Sequence, residues 1–217
     1  MKKIIRFLKK RINFISYSML KVSTMVLVLL TNIIIVRKLP VEEFGIFSIA
    51  LMLNGLIVAM GFSWSSSSIL YYGSKEKAIN GNINKTFWAR NIIIFISLII
   101  TTLLFIIFRN QINEYIGIDI WVLILVWLYV SVIENYLSEY FLAVKKRVLS
   151  SILSLTAKVI FLLLTLVVSF DVTTLIILNI VSHASVILYI IGINRNDIGK
   201  FEFDKDWFKQ ILNFSLW

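Results

Sequence analysis

Apolar residues run along this chain in six long blocks separated by short polar stretches. A helix crosses the hydrocarbon core of a bilayer with about 20 predominantly apolar residues, so each block is long enough to span a membrane once. The pattern predicts an all-α fold, a polytopic transmembrane bundle of about six helices. The predicted helices are Ile12–Val36, Phe44–Tyr71, Phe87–Phe108, Ile120–Val144, Leu149–Phe170 and Val172–Ile193.

A further apolar pattern opens near the last residue of the sequence, where Phe208, Ile211, Leu212 and Phe214 follow Trp207. We expect residues 1–206 to form an N-terminal six-helix bundle and residues 207–217 to be the start of a further helix, truncated here. The chain would then be a fragment or half of a larger bundle. The alternative is a short amphipathic helix that lies on the membrane surface.

Composition agrees with a membrane protein. Hydrophobic residues make up 59% of the chain and charged residues 16%, whereas soluble domains contain about 45–50% apolar and about 25% charged residues. The chain has no cysteine and one histidine, which excludes thiolate and multi-histidine metal centres. We therefore predict neither a metal nor a cofactor.

Lysine and arginine are distributed unevenly between the two predicted sides of the membrane. One side carries the basic N-terminus and the basic stretches within residues 75–90, 145–147 and 195–209, whereas the other carries only Arg37, Lys38 and Arg109 beside five acids. The positive-inside rule then predicts that both termini are cytoplasmic. Anionic lipid head groups account for the net charge of +10, so we predict no nucleic-acid partner.

Four ionisable residues stand out inside the apolar blocks, namely Lys21, Glu134, Lys158 and His183. Each is nine or ten residues from the predicted cytoplasmic end of its block, which corresponds to a depth of about 14–15 Å. Ionisable groups at such a depth are costly and mark a functional site by default. We predict that four helices contribute these residues to one polar cavity.

Helical periodicity places further polar residues on the same faces. The stripes are Tyr17, Lys21, Thr24 and Asn32; Trp127, Ser131, Glu134 and Ser138; Ser151, Ser154, Lys158, Thr165 and Ser169; and Asn179 with His183. From these stripes we select six candidate substrate-binding residues, Lys21, Asn32, Glu134, Lys158, Asn179 and His183.

Purely structural roles stay open for the same residues. Lys21 and Lys158 could extend their long stems toward the head groups, and Glu134 could pair with a lysine and hold two helices together. No Gly-rich phosphate loop, Gly-x-Ser-x-Gly or His-Glu-x-x-His motif occurs. Glu134 and Glu139 diverge by about 140° around their helix and make a poor acid/base pair, so we predict no enzymatic function.

The connection between the first two blocks carries a recognisable motif. Residues 33–48 read IIIVRKLPVEEFGIFS, with Arg37 and Lys38 before Pro40 and with Phe44-Gly45 after two acids. This stretch resembles the entry to the second helix of polysaccharide flippases, the O-antigen and capsule translocases of the multidrug/oligosaccharidyl-lipid/polysaccharide exporter superfamily. Residues 140–147, YFLAVKKR, are similar to that family's approach to its fifth helix. A glycine usually precedes the proline in the family, whereas Leu39 does so here.

The resemblance implies a transporter of twelve to fourteen helices in two related halves around a central cavity, of which this chain would be the N-terminal half. It implies that an undecaprenyl-diphosphate-linked oligosaccharide, destined for lipopolysaccharide or capsule, crosses the bacterial cytoplasmic membrane by alternating access. Lys21 and Lys158 would then hold the diphosphate, Glu134 would position the lysines, and Asn179 and His183 would contact sugar hydroxyls.

Other functions compatible with the sequence are a cation-coupled drug exporter of the same superfamily, a membrane-embedded sugar polymerase or acyltransferase, and a non-transporting scaffold. In the drug exporter Glu134 would bind the coupling cation. The short predicted external loops argue against the enzymes. The expected partners are a lipid-linked oligosaccharide, membrane lipids, a coupling cation and polysaccharide assembly proteins.

Overall fold

The computed structural model describes the backbone of residues 2–194 and 200–216 and the side chains of residues 15–194 and 200–215. This part of the chain is helical and contains no strand. Its α-helices are α1 (Lys2–Lys38), α2 (Val41–Gly61), α3 (Ser66–Asn80), α4 (Asn84–Ile107), α5 (Arg109–Ile116), α6 (Trp121–Ala143), α7 (Arg147–Val167), α8 (Val172–Asn194) and α9 (Lys205–Leu216).

Six of these helices, α1, α2, α4, α6, α7 and α8, are long and apolar enough to cross a membrane. Many of their large apolar side chains point away from the bundle, such as Met25 and Leu188, which are 67% and 70% exposed. Such surfaces suit hydrocarbon, where a helix satisfies its own backbone hydrogen bonds. The predicted fold class, a polytopic transmembrane helix bundle, is confirmed.

The predicted extent of the second apolar block is wrong. Instead of one helix over Phe44–Tyr71, α2 ends at Gly61 and a 3₁₀ turn, Ser63–Ser65, leads into α3. The backbone leaves helical geometry at Phe62, where φ is −129° and ψ is −32°. The Ser65 hydroxyl donates to the Phe62 carbonyl at 3.1 Å, the kind of local bond by which serine competes with a regular helix.

The bundle is built around α6, α7 and α8, which pack against one another, while α1 lies along α7 and α2 packs on α6 and α8. The centre of the apolar core is formed by side chains with no exposed surface, including Ile124, Leu128, Leu153, Leu175 and Ile176. The two ends of the bundle are named here after their connections. The Pro40 end contains the α1–α2 connection, and the Gly81 end contains the α3–α4 connection.

At the Pro40 end, the family-like motif joins two helix pairs. Lys38 Nζ donates to the carbonyls of Thr165 and Leu166, at 2.6 and 3.1 Å, in the last turn of α7. Glu43 Oε2 accepts from the backbone N–H of Val172, at 2.9 Å, in the first turn of α8. Both contacts satisfy backbone groups that a helix end leaves without an intrahelical partner. Lys38 and Glu43, two charged residues of the motif, therefore have a structural role at the helix ends.

At the Gly81 end, α9 packs beside the beginning of α4. Lys85 Nζ lies 2.9 Å from Asp204 Oδ2, and Trp207 Nε1 donates to Thr86 Oγ1 at 2.9 Å. Ile211 is fully buried against Ala89 and Ile93. This helix, α9, begins at Lys205 and continues to Leu216. That it opens a second half of a larger bundle stays a prediction.

Candidate functional site

Three of the four predicted ionisable residues meet between α6, α7 and α8. Lys158 Nζ lies 3.1 Å from His183 Nε2, and His183 Nδ1 pairs with the Glu134 carboxylate. One imidazole therefore bridges a lysine and a glutamate from two other helices. We call Lys158, His183 and Glu134 the bridged cluster.

The donors and acceptors of the three groups match one another if Lys158 is an ammonium. An ammonium at Lys158 only donates hydrogen bonds, so His183 Nε2 accepts and Nδ1 carries its proton toward Glu134. The bridged cluster then contains one positive and one negative charge around a neutral imidazole. Such internal pairing is what allows ionised groups to lie in membrane-spanning helices. The His183 and Glu134 side chains are 7% and 14% exposed.

The bridged cluster opens into a cavity of 290 Å³ between α2, α6, α7 and α8. Its other polar lining groups include Asn54, Ser131 and Asn179, and the Trp127 ring forms part of its wall. Ligand cavities in proteins usually measure about 300–1,000 Å³. This cavity therefore has room for a head group, whereas the rest of a long ligand would lie outside it.

Helical spacing explains how α6 and α8 present several groups to one cavity. Trp127, Ser131 and Glu134 follow one another at intervals of four and three residues, and His183 is four residues after Asn179. Residues at these intervals lie on one face of an α-helix. These five residues of the two predicted stripes line a single cavity. Ser138, the last residue of the predicted stripe on the fourth block, does not line it and instead lies 2.6 Å from Ser150 Oγ.

The predicted common depth is wrong for Lys21. The ends of α1 and α7 meet at the contact between Lys38 and Thr165, and Lys21 precedes the first by 17 residues whereas Lys158 precedes the second by seven. At 1.5 Å per residue, Lys21 lies about 15 Å nearer the Gly81 end than Lys158. The prediction assumed that all apolar blocks begin at one level, but α1 is already helical from Lys2.

The remaining candidates of α1 and α7 also lie outside the bridged cluster. Lys21 Nζ lies 5.9 Å from the ring centroid of Tyr17 on its own helix. Asn32 is exposed on α1 and does not line the described cavity. On α7, the Thr165 hydroxyl donates to the Leu162 carbonyl of the same helix, and Ser169 follows the end of the helix. The substrate-binding roles assigned to Lys21 and Asn32 remain predictions without support from this geometry.

Asn54 is a cavity residue that the sequence analysis did not single out. It lies in the middle of α2, only 4% exposed, and its Nδ2 has no hydrogen-bond partner among the described residues. Most buried polar groups in proteins do have a partner. A lone amide within the apolar run of α2 was the signal available in the sequence.

A second buried ion pair was also missed. Arg90, which the sequence analysis counted among the cytoplasmic charges, is 2% exposed and pairs with Glu139 of α6. Its guanidinium also contacts Ser65 Oγ at 3.4 Å and Ser66 Oγ at 3.2 Å. The pair therefore links α4 and α6 to the break between α2 and α3. Arg90 is the fourth residue of the predicted helix Phe87–Phe108, close to its predicted cytoplasmic end. The observed helix α4 begins earlier, at Asn84, so the burial of Arg90 was not evident from the sequence.

A third buried charge has a clear structural role at the Gly81 end. The Glu76 carboxylate is 1% exposed and accepts from the backbone N–H groups of Lys85 and Thr86 at 3.0 and 2.9 Å, and from the Thr86 hydroxyl at 2.7 Å. A carboxylate suits the positive end of the helix dipole, so Glu76 caps α4. Among the described residues no cluster of histidine and acidic side chains is arranged to hold a metal ion.

Comparison with known proteins agrees with the resemblance carried by residues 33–48. The sequence matches the family described as polysaccharide biosynthesis protein over residues 11–217, which include all six spanning segments. No curated protein and no solved structure matches the chain. The family match nevertheless extends over almost the whole sequence. The chain therefore belongs to the polysaccharide biosynthesis protein family, as a multi-pass membrane protein with a role in polysaccharide biosynthesis or export.

Proposed function

We propose that this chain is part of a flippase that moves an undecaprenyl-diphosphate-linked oligosaccharide across the bacterial cytoplasmic membrane by alternating access. The cargo would serve the synthesis of O-antigen or capsule. One observation carries the proposal, the bridged cluster that opens into a cavity between spanning helices. The family supports a polysaccharide precursor as the cargo.

The diphosphate is the part of such a cargo that fits the cavity. An ammonium has three N–H donors, and that of Lys158 directs one of them toward His183. Two others are then available for phosphate oxygens, in surroundings of low dielectric where the attraction between opposite charges is strong. Because Glu134 contacts His183, the imidazole lies between its carboxylate and the Lys158 ammonium. The Asn179 amide would contact sugar hydroxyls.

Two alternatives have less support. In a cation-coupled drug exporter Glu134 would bind the ion, but this carboxylate already pairs with His183. For an enzyme, the sequence supplies no Gly-rich phosphate loop, Gly-x-Ser-x-Gly or His-Glu-x-x-His motif that would favour it. We therefore propose binding and movement of the cargo without covalent chemistry.

The test is to determine which leaflet of the membrane holds the cargo. In spheroplasts of a flippase-deficient strain that express the wild-type protein, a membrane-impermeant sugar-oxidising reagent should reach the lipid-linked oligosaccharide. With Lys158→Ala the cargo should remain protected on the inner leaflet, and Lys158→Arg should restore part of the exposure, since the charge survives with altered geometry. Full exposure with Lys158→Ala at normal protein level would contradict the proposal.

The proposal includes the predicted orientation, with both termini in the cytoplasm. Reporters fused after residues 11, 109 and 195 should indicate inside, outside and inside. An outside signal from the last fusion would contradict six crossings.

A further inference from the structure

Asn54 is the buried polar group of the cavity whose bonding is incomplete. Its helix, α2, is apolar over its middle turns, and the asparagine nevertheless points inward, with 4% of its surface exposed. An asparagine in a spanning helix ordinarily hydrogen-bonds across to another helix. Here the amide nitrogen has no such partner in the part of the chain that the structure describes.

Asn54 lies where a ligand in the cavity could complete its hydrogen bonding. Asn54 lines the same cavity as Lys158, from the side formed by α2, whereas Lys158 belongs to α7 on the other side. Both groups are hydrogen-bond donors. Two donors on different walls of one small cavity are complementary to a compact group that carries several acceptor oxygens.

We propose that Asn54 is a binding residue for the phosphate oxygens of the cargo and acts together with Lys158 across the cavity. The proposal rests on the proposed function, because it specifies how the diphosphate is held. An occupied cavity would thereby connect α2 with α7 and α8. The amide supplies a donor without a second positive charge, so the bridged cluster keeps its balance of charges.

Farnesyl diphosphate and farnesol are the probes that test this role. They share an isoprenoid chain and differ in the phosphate groups. Binding is measured with the purified wild-type protein in lipid nanodiscs. Asn54→Ala should weaken binding of farnesyl diphosphate by about tenfold or more, the usual effect of losing a hydrogen bond to a charged group, and leave farnesol binding unchanged. Asn54→Asp should weaken the diphosphate further because its carboxylate repels phosphate.

Asn91→Ala is the matched control. Asn91 lies on α4 in an apolar groove beside Phe95 and Ile133, away from the bridged cluster. This control should bind both probes within about twofold of the wild type, as expected for a substitution outside a binding site. Asn54→Ser retains a hydroxyl donor and should bind farnesyl diphosphate with intermediate affinity. If Asn54→Ala does not yield folded protein, the affinity of Asn54→Ser tests the proposal in its place.

The outcomes separate this proposal from the proposed function. If Asn54→Ala or Asn54→Ser binds farnesyl diphosphate as the wild type does, while Lys158→Ala does not bind it, the role of Asn54 is wrong. If Lys158→Ala also binds it normally, the diphosphate site itself is wrong. Equal weakening of diphosphate and farnesol binding by Asn54→Ala would likewise overturn the role, since it would indicate a change in packing.

Discussion

Two buried charged clusters lie on different faces of α6. Glu139 pairs with Arg90 of α4, whereas Glu134 pairs with His183 of α8, which in turn contacts Lys158 of α7. Both acids belong to one spanning helix, and they diverge as their separation of five residues predicts. The two clusters nevertheless have different surroundings.

The guanidinium of Arg90 is enclosed by partners. Besides Glu139 it contacts two serine hydroxyls, and its Cζ lies 5.3 Å from the ring centroid of Tyr136. The bridged cluster instead opens into a cavity with polar walls. The comparison teaches that a buried charge by itself does not identify a ligand site. A ligand site is indicated where hydrogen-bond donors without a protein partner face an open space.

The largest expected effect concerns Arg90. Arg90→Ala leaves the Glu139 carboxylate buried without its partner, and loss of one member of a buried pair costs about 3–5 kcal/mol. We expect the variant to lose most of its folded protein, as measured by thermal unfolding of the purified protein in detergent. The double variant Arg90→Leu, Glu139→Leu should recover much of the stability, because no unpaired charge remains. Wild-type stability of Arg90→Ala would show that the pair does not stabilise the bundle.

The next largest effect separates binding from stability at Lys158. Lys158→Ala should reduce transport of the cargo by about tenfold or more. It should lower the melting temperature less than Arg90→Ala does, because the groups that remain face a cavity with polar walls. Adding Glu134→Gln should recover any lost stability without restoring transport. Recovery of transport in this double variant would mean that Lys158 only holds helices together.

Lys21→Ala is the matched control for that experiment. It also removes a lysine from a spanning helix, but one that lies about 15 Å away along the bundle by the rise of an α-helix. Transport should stay within about twofold of the wild type. A loss as large as that of Lys158→Ala would restore Lys21 as a substrate-binding residue and contradict the geometry.

The smallest effect is expected at the Gly81 end, at Asp204, which lies outside the spanning helices. A hydrogen bond from Lys85 lowers the pKa of Asp204 below its ordinary value. The contribution of this contact to stability is therefore present above the carboxyl pKa of the unfolded chain, about 3.9, and is lost as the pH falls through the lower folded value. Asp204→Asn should lower the melting temperature slightly at pH 7, and the difference should vanish in acid.

Asp206→Asn is the control for the pH series, since Asp206 is an exposed neighbour in the first turn of α9. Its melting temperature should follow that of the wild type throughout. A difference between Asp204→Asn and wild type that grows on acidification would contradict the assigned direction of the pKa shift.

Much of the fold could be predicted from the sequence because the signal is local. Each apolar block is long enough to span a bilayer, and α4, α6, α7 and α8 begin and end within a few residues of the predicted limits. The break at Phe62 could not be predicted in the same way, since the serine-rich stretch after it, residues 63–68, lies inside one long and otherwise apolar block. There the serine hydroxyls and the contacts of Arg90 determine the path of the chain.

Within the candidate site, the sequence by itself determined which faces of α6 and α8 are polar, because helical periodicity follows from residue spacing alone. Only the tertiary structure decided which polar groups meet. The depth of Lys21, the burial of Arg90 and the inward position of Asn54 depend on how far each helix is shifted along its neighbours. That shift is set by packing between residues distant in sequence, such as Lys38 and Thr165, which are 127 positions apart, and no local pattern encodes it.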